Sequence, residues 1–193
     1  CLQLAKAIEG TLAGPAVSLA DLVMLAGAHA VWQCNGPDIL LRIGRPDAPG
    51  PDPEGRLPDE NSSAALLKAN FADKGFSARE LVALSGAHTI GKHICWTTGE
   101  EGSPRSGCVT RPQGNKGFGG PYAFDNTYYK ELLKKPWTNT KDSMASMIGL
   151  PSDHVLPDDE ELQPIIQEYA KDQEAFFKDF SAAYVKLSEL GIR

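Results

Sequence analysis

The stretch that decides the fold is Glu80-Leu81-Val82-Ala83-Leu84-Ser85-Gly86-Ala87-His88-Thr89-Ile90-Gly91, which predicts a short amphipathic helix. Leu81, Leu84 and His88 recur at i, i+3 and i+7, so the histidine is predicted to lie buried on the apolar face. A histidine in that position is either a satisfied core residue or a ligand. The helical spacing alone leaves both interpretations open.

Both ends of this helix carry local signals. Ser77 is a suitable N-cap, and Glu80 follows at the spacing of a capping box. Gly86 and Gly91 lack a Cβ atom, so they allow another group to approach the backbone closely.

The composition excludes several classes of protein. A chain of 193 residues with 41% hydrophobic residues forms one domain or part of a larger one. A net charge of −6 and a pI near 5.2 argue against nucleic acid as a partner. No apolar run approaches the roughly 20 residues of a membrane span. The chain begins at Cys1, which indicates processing or a partial sequence.

Helical patterns recur along most of the chain. They cover residues 1–14, the run after Ser18, Ser63 to Lys74, and the segment after Asp125 or Asn126. Leu22, Val23, Leu25, Ala26 and Ala30 are predicted to form a buried face, as are Phe176, Phe177, Phe180, Tyr184 and Leu187 of the last helix. Five prolines between residues 44 and 60 predict a loop there.

Residues 92–121 are polar and rich in glycine, which predicts a long surface insertion. Cys95 and Cys108 flank its middle, and they are either a disulfide or two free thiols. With His93 they also form an incomplete zinc set that lacks a paired Cys-x-x-Cys.

Three motifs resemble one known family. The run LSGAHTIG, residues 84–91, resembles the proximal-histidine helix of the plant-type haem peroxidases. The segment Gly149-Leu150-Pro151-Ser152-Asp153 and the closing run 169–191 resemble class I members, the ascorbate and cytochrome c peroxidase group. The sequence pattern of residues 117–137 is most similar to that of the ascorbate peroxidase-related proteins of plants and algae. The resemblance implies one partial domain, residues 1–193, with the all-α haem peroxidase fold, mainly its proximal half.

The resemblance also implies a haem b site. His88 is the expected axial ligand of the haem iron, and Asp153 is expected to accept a hydrogen bond from the N–H of its other ring nitrogen. Without that motif, Asp153 would be a turn or cap residue. Five further residues match positions that line the haem in the family: Leu84, Ser85, Ile90, Gly91 and Ser152.

The distal side of such a site is absent from this sequence. In the family, an arginine-x-x-aromatic-histidine pattern supplies a general base and a charge stabiliser for peroxide cleavage. Around His29, whose segment echoes that of His88, the corresponding positions are Leu25 and Ala28. His29 is therefore predicted to be a core or rim residue. The chain is expected to begin downstream of the distal helix.

Other positions depart from the class I pattern. Tyr122 stands at the position of the family's tryptophan beside the haem, and Thr97 at that of the ascorbate-binding arginine. Thr89 and Asp125 match the monovalent cation site, but Ala123 replaces its second threonine, which predicts loss of that site.

Two functions remain in competition. In the first, the complete protein is a haem peroxidase that reduces hydrogen peroxide with a small reductant or a protein donor, with ascorbate disfavoured. In the second, it is a catalytically silent, peroxidase-like subunit of a larger organellar assembly, whose partners cover the distal face. The resemblance to plant and algal proteins favours a plastid over a mitochondrion.

Overall fold

The computed structural model describes residues 17–90, 123–135 and 150–192, and every regular element in these ranges is helical. Two 3₁₀ helices, Gly86–Thr89 and Leu156–Asp158, accompany seven α-helices. The α-helices of these ranges are α1 (Leu19–Gln33), α2 (Ala64–Ala72), α3 (Ala78–Ser85), α4 (Thr127–Leu132), α5 (Pro151–His154), α6 (Leu162–Lys171) and α7 (Gln173–Ser188). The predicted all-α fold is confirmed. The predicted helix at 1–14 and the insertion at 92–121 lie outside the described residues.

Side-chain caps fix where four of these helices begin. Ser18, Ser63, Ser77 and Asp172 each accept a hydrogen bond from the backbone N–H three residues ahead, at 3.0–3.3 Å. Each cap satisfies one of the N–H groups that a helix start leaves unpaired. None of the helices in the described ranges is long and apolar enough to cross a bilayer.

The core forms where α3 packs against α2, α6 and α7, with α4 packed on α6. An aromatic cluster fills it, consisting of Phe124, Tyr129, Tyr169, Phe176 and Phe180, each at most 2% exposed. The prediction for the last helix holds for Phe176 and Phe180. It is wrong for Leu187, which is 37% exposed.

A buried ion pair joins the two ends of the described chain. Arg45 donates to Asp21 Oδ1 at 2.5 Å and to the carbonyl and hydroxyl of Ser188 at 2.6 and 2.7 Å. Asp21 also accepts from the backbone N–H of Gly44 at 2.6 Å. These bonds tie α1 and the loop after it to the end of α7.

This ion pair explains an error in the predicted face of α1. Of the five residues predicted to face inward, Val23 and Leu25 are 52% and 37% exposed, and Ala26 and Ala30 are exposed as well. Asp21, Ala28 and Val31 face inward instead, because Asp21 must reach Arg45. The spacing of apolar residues along one helix does not show that a charged residue will be buried by a partner from a distant loop.

Candidate functional site

The histidine segment differs from the single helix predicted over residues 80–91. The α-helix ends at Ser85, and Gly86–Thr89 continues as a 3₁₀ turn that carries His88. The predicted burial of His88 is wrong, because its side chain is 43% exposed where it borders an open cavity.

The start of α3 is held as the sequence predicts. Ser77 Oγ accepts from the N–H of Glu80, and a carboxylate oxygen of Glu80 accepts from the N–H of Ser77 at 2.7 Å, which completes a capping box. Lys186 donates to the same carboxylate at 2.8 Å, which links α3 to α7. The helix that leads to His88 is therefore fixed at its first turn.

Gly86 permits close packing under the histidine turn. A Cβ atom at this position would lie 2.3 Å from the hydroxyl oxygen of Tyr129 and 2.4 Å from the ring of Phe176. The predicted close approach to the backbone is confirmed at Gly86. Gly91 lies outside the described residues.

The structure brings His88 and Asp153 together. Nδ1 of His88 lies 3.0 and 3.1 Å from the two carboxylate oxygens of Asp153, within hydrogen-bond distance. Asp153 is 2% exposed and sits in the short helix α5, whose N–H at Ser152 donates to the carbonyl of Glu60 at 2.9 Å. A buried carboxylate that accepts from Nδ1 holds the ring in the tautomer with an unprotonated Nε2.

Tyr128 is a third member of this group that the sequence analysis missed. Its hydroxyl donates to Asp153 Oδ1 at 2.5 Å, and its ring packs edge-on against His88 with centroids 5.9 Å apart. Tyr128 is 4% exposed. Asp153 therefore accepts from two side chains, which satisfies a carboxylate that would otherwise be costly to bury.

The charges of this group shift two pKa values. The partial burial of the His88 ring lowers its pKa, but the hydrogen bond and the negative charge of Asp153 together raise the pKa above its ordinary value. Burial raises the pKa of the Tyr128 hydroxyl well above its ordinary value, and the adjacent Asp153 charge and hydrogen bond add to the rise. The tyrosine thus remains a protonated donor at neutral pH.

A cavity of about 290 Å³ borders the histidine. Apolar side chains of α2 and α3 form much of its wall, and Pro58, Asp59 and Glu60 lie along another part of it. Of the residues predicted to line a haem, Leu84, Ser85 and Ser152 border the cavity, together with the predicted ligand His88 and its partner Asp153. Ile90 instead packs against the core. Sequence reasoning missed Leu67, Phe71 and Leu81, whose apolar spacing is equally typical of ordinary core residues.

The donor chemistry of this cavity fits a haem iron. Nδ1 of His88 is engaged, and Nε2 has no hydrogen-bond partner among the described residues. In its neutral form His88 presents an unprotonated Nε2 to an apolar, partly open cavity, and this is a ligand that haem iron accepts. Across residues 17–90, 123–135 and 150–192, no group of three or more His, Cys, Asp or Glu side chains could hold a metal ion by itself.

Thr89 and Asp125, the predicted remnants of a cation site, lie side by side. The Thr89 hydroxyl donates to Asp125 Oδ1 at 3.1 Å, and the N–H of Thr127 donates to the same oxygen at 2.9 Å. Ala123 is buried nearby in sequence and offers no side-chain oxygen. The two surviving side chains thus contact each other directly.

Among the other candidates, the structure describes His29. His29 is exposed, stacks on Trp32 at 5.4 Å and contacts Gln33, so of the two predicted positions, core or rim, the core is wrong. The remaining candidates lie outside the described residues: Tyr122, Thr97, His93, Cys95 and Cys108.

Comparison with known proteins identifies the family of this chain. The family model "Peroxidase" matches residues 2–172. The chain is 49% identical over 177 residues to a putative L-ascorbate peroxidase 6 of Arabidopsis thaliana, covering 92% of this chain and 46% of that protein. It is 39% identical to the cytosolic L-ascorbate peroxidase 1 of Oryza sativa subsp. japonica, covering 92% and 63%. It is also 38% identical to the probable chloroplastic L-ascorbate peroxidase 7 of the same rice, covering 93% and 50%.

The chain therefore belongs to the peroxidase family, and its relatives relate it to the class I plant peroxidases. It is a haem peroxidase-family protein. It spans about half to two thirds of the length of these relatives.

Proposed function

We propose that the complete protein reduces hydrogen peroxide at a haem b whose iron is bound by Nε2 of His88. The observation that supports this most strongly is the engagement of Nδ1 by a buried carboxylate, 3.0 Å away, beside an apolar cavity. That arrangement fixes the tautomer and makes the free nitrogen a stronger ligand.

The residues around His88 each have a definite part in this proposal. Haem supplies the redox chemistry by which peroxide takes up two electrons. Asp153 holds the Nδ1 proton of His88, and Tyr128 fixes the carboxylate with its hydroxyl. Leu84 and Ser85 form part of the cavity wall beside the ligand. The sequence carries no arginine-x-x-aromatic-histidine pattern, so the proposal assigns this chain the proximal side alone.

The electron donor is proposed to be an organic molecule or a protein rather than ascorbate. The relatives are named as ascorbate peroxidases, but here the arginine position is Thr97 and the tryptophan position is Tyr122. We expect the full-length protein with peroxide to oxidise guaiacol-like phenols faster than ascorbate. Faster oxidation of ascorbate would contradict this assignment.

A second candidate is a silent accessory subunit, and one feature of the surface favours it. Trp32, Leu40 and Ile43, in α1 and the loop after it, are 53%, 81% and 67% exposed, and large apolar side chains that face water are candidates for contact with a protein partner. Native purification of the full-length protein discriminates between the two. A haem-free protein that elutes in a stable complex supports the subunit, whereas a haem-loaded protein that turns over peroxide supports the enzyme.

The compartment is proposed to be the plastid, in preference to the mitochondrion. The names of the relatives include cytosolic, peroxisomal and chloroplastic forms, so they support an organelle only weakly. Fluorescence microscopy of a C-terminally tagged full-length protein tests it, and a signal restricted to the cytosol would contradict it.

A further inference from the structure

Three tyrosine rings form a continuous chain that begins at His88. The ring of Tyr128 lies 5.9 Å from the imidazole, centroid to centroid. Tyr129 lies 5.1 Å from Tyr128, and Tyr169 lies 5.2 Å from Tyr129. These separations are those of aromatic rings in direct contact. All three side chains are at most 4% exposed.

The hydroxyl partners of the three rings differ in a way that matters for redox chemistry. Tyr128 donates to Asp153 at 2.5 Å, and Tyr169 donates to Asp179 at 2.7 Å. Tyr129, between them, donates to the carbonyl of Val82 at 2.9 Å. A phenol loses an electron far more readily when its proton can pass at once to a base. The two outer tyrosines have such a base, and the middle tyrosine does not.

The far end of the chain reaches the protein surface. Asp179 bridges Tyr169 and Arg79, which donates to it at 2.6 Å and also pairs with Glu168. The side chains of Arg79, Glu168 and Asp179 are 42%, 44% and 25% exposed. Arg79 also lies over the Tyr169 ring, 5.3 Å from its centroid. The buried tyrosine therefore lies directly beneath an exposed group of charges.

We propose that Tyr128, Tyr129 and Tyr169 form an electron relay between the cofactor bound at His88 and the surface at Arg79 and Asp179. The relay rests on the proposed function, because its oxidant is a haem that has reacted with hydrogen peroxide. It gives a phenolic or protein donor at the surface a route to a cofactor that it does not touch.

The electrons and protons balance at each step. Tyr128 gives one electron to the oxidised cofactor and its phenolic proton to Asp153. Tyr169 then gives one electron through the ring of Tyr129 to the Tyr128 radical, which takes its proton back from Asp153. The proton of Tyr169 moves to Asp179. One electron from a phenolic donor at the surface, with the proton returned from Asp179, restores Tyr169, and the donor releases its own phenolic proton to the solvent.

A photochemical experiment tests the relay without peroxide turnover. The full 193-residue chain is loaded with zinc protoporphyrin IX and illuminated with a cobalt(III) ammine complex as irreversible electron acceptor. Electron paramagnetic resonance of frozen samples detects the radicals, and deuterated tyrosine identifies a tyrosyl signal by its narrowed splitting. We expect a tyrosyl signal in the unaltered chain and its loss in Tyr128→Phe.

Further variants separate the steps. Tyr169→Phe should leave a signal with a different splitting pattern, because the hole remains on Tyr128. Tyr129→Phe should slow the conversion of the Tyr128 signal into the Tyr169 signal. Tyr184→Phe is the matched control, since its hydroxyl donates to the carbonyl of Met24 outside the chain of rings, and it should change nothing. If Tyr128→Phe does not fold, the Tyr169 and Tyr129 variants decide the question.

The outcomes distinguish the relay from the proposed function. A chain that binds no porphyrin, judged by its absorption spectrum, refutes the haem site and with it the relay. A chain that binds and photo-oxidises the porphyrin but forms no tyrosyl radical refutes the relay alone. A signal that survives Tyr128→Phe, or that depends on Tyr122 or Tyr184 instead, also refutes it.

Discussion

Replacing Gly86 with alanine tests how tightly the histidine turn is packed. The added methyl would lie 2.3 Å from the Tyr129 hydroxyl and 2.4 Å from Phe176, both fully buried, so neither ring has room to move. Overpacking of this kind costs about 1–3 kcal/mol. Displacing Tyr129 also weakens its hydrogen bond to Val82, at about 1 kcal/mol.

One favourable effect opposes this loss. The backbone of Gly86, at φ −59° and ψ −15°, suits alanine. Because alanine has a smaller unfolded-state entropy than glycine, the substitution stabilises the folded chain by about 0.4–1 kcal/mol. The net expectation is a loss of about 2 kcal/mol in unfolding free energy. In a chain of this length that lowers Tm by about 4–8 °C.

Urea unfolding followed by circular dichroism measures the effect, and Gly50→Ala is the matched control. A Cβ atom at Gly50 would meet no atom within 4 Å, so this variant should match the unaltered chain or exceed it slightly. Equal stabilities for the Gly86 and Gly50 variants would refute the packing described around the histidine turn.

Two further predictions concern buried charges. Arg45→Met leaves Asp21, which is 2% exposed, without its charged partner. The free energy of unfolding, measured by urea unfolding, should fall by about 3–5 kcal/mol. A loss below about 1 kcal/mol would show that Asp21 reaches water. Because Asp153 raises the pKa of His88, the protonated histidine stabilises the folded chain. This stabilisation is complete below the ordinary histidine pKa of about 6.5, and it is lost as the pH rises through the raised pKa of His88. Stability measured between about pH 6 and pH 9 should therefore fall less steeply in Asp153→Asn, and an unchanged slope would contradict the pairing.

Features that depend on neighbouring residues were predictable from the sequence. The Ser77–Glu80 capping box and the start of α2 at Ser63 follow from local patterns, and the structure contains both. Gly86 was identified as a point of close approach because glycine alone lacks a Cβ atom. The contact between His88 and Asp153 was inferred from two motifs of one family, since helical periodicity carries no information on so distant a pair.

The errors share a physical cause. The exposed face of α1 follows from Asp21 reaching Arg45, and the exposure of His88 follows from the cavity beside it. Tyr128 lies in a segment that the sequence predicted only to be helical, yet its hydroxyl completes the histidine–aspartate group. Each of these depends on a partner distant in the sequence, which composition and spacing cannot identify.

A haem titration of the chain tests the central claim most directly. Haemin is added to the full chain and to its His88→Gln and His29→Gln variants, and the Soret band is followed. The account predicts saturable binding of one haem in the unaltered chain and in His29→Gln, whose exposed histidine lies outside the cavity. It predicts that His88→Gln loses the histidine-ligated spectrum and most of the affinity. The same spectrum and affinity in His88→Gln would contradict the assignment of His88 as the haem ligand.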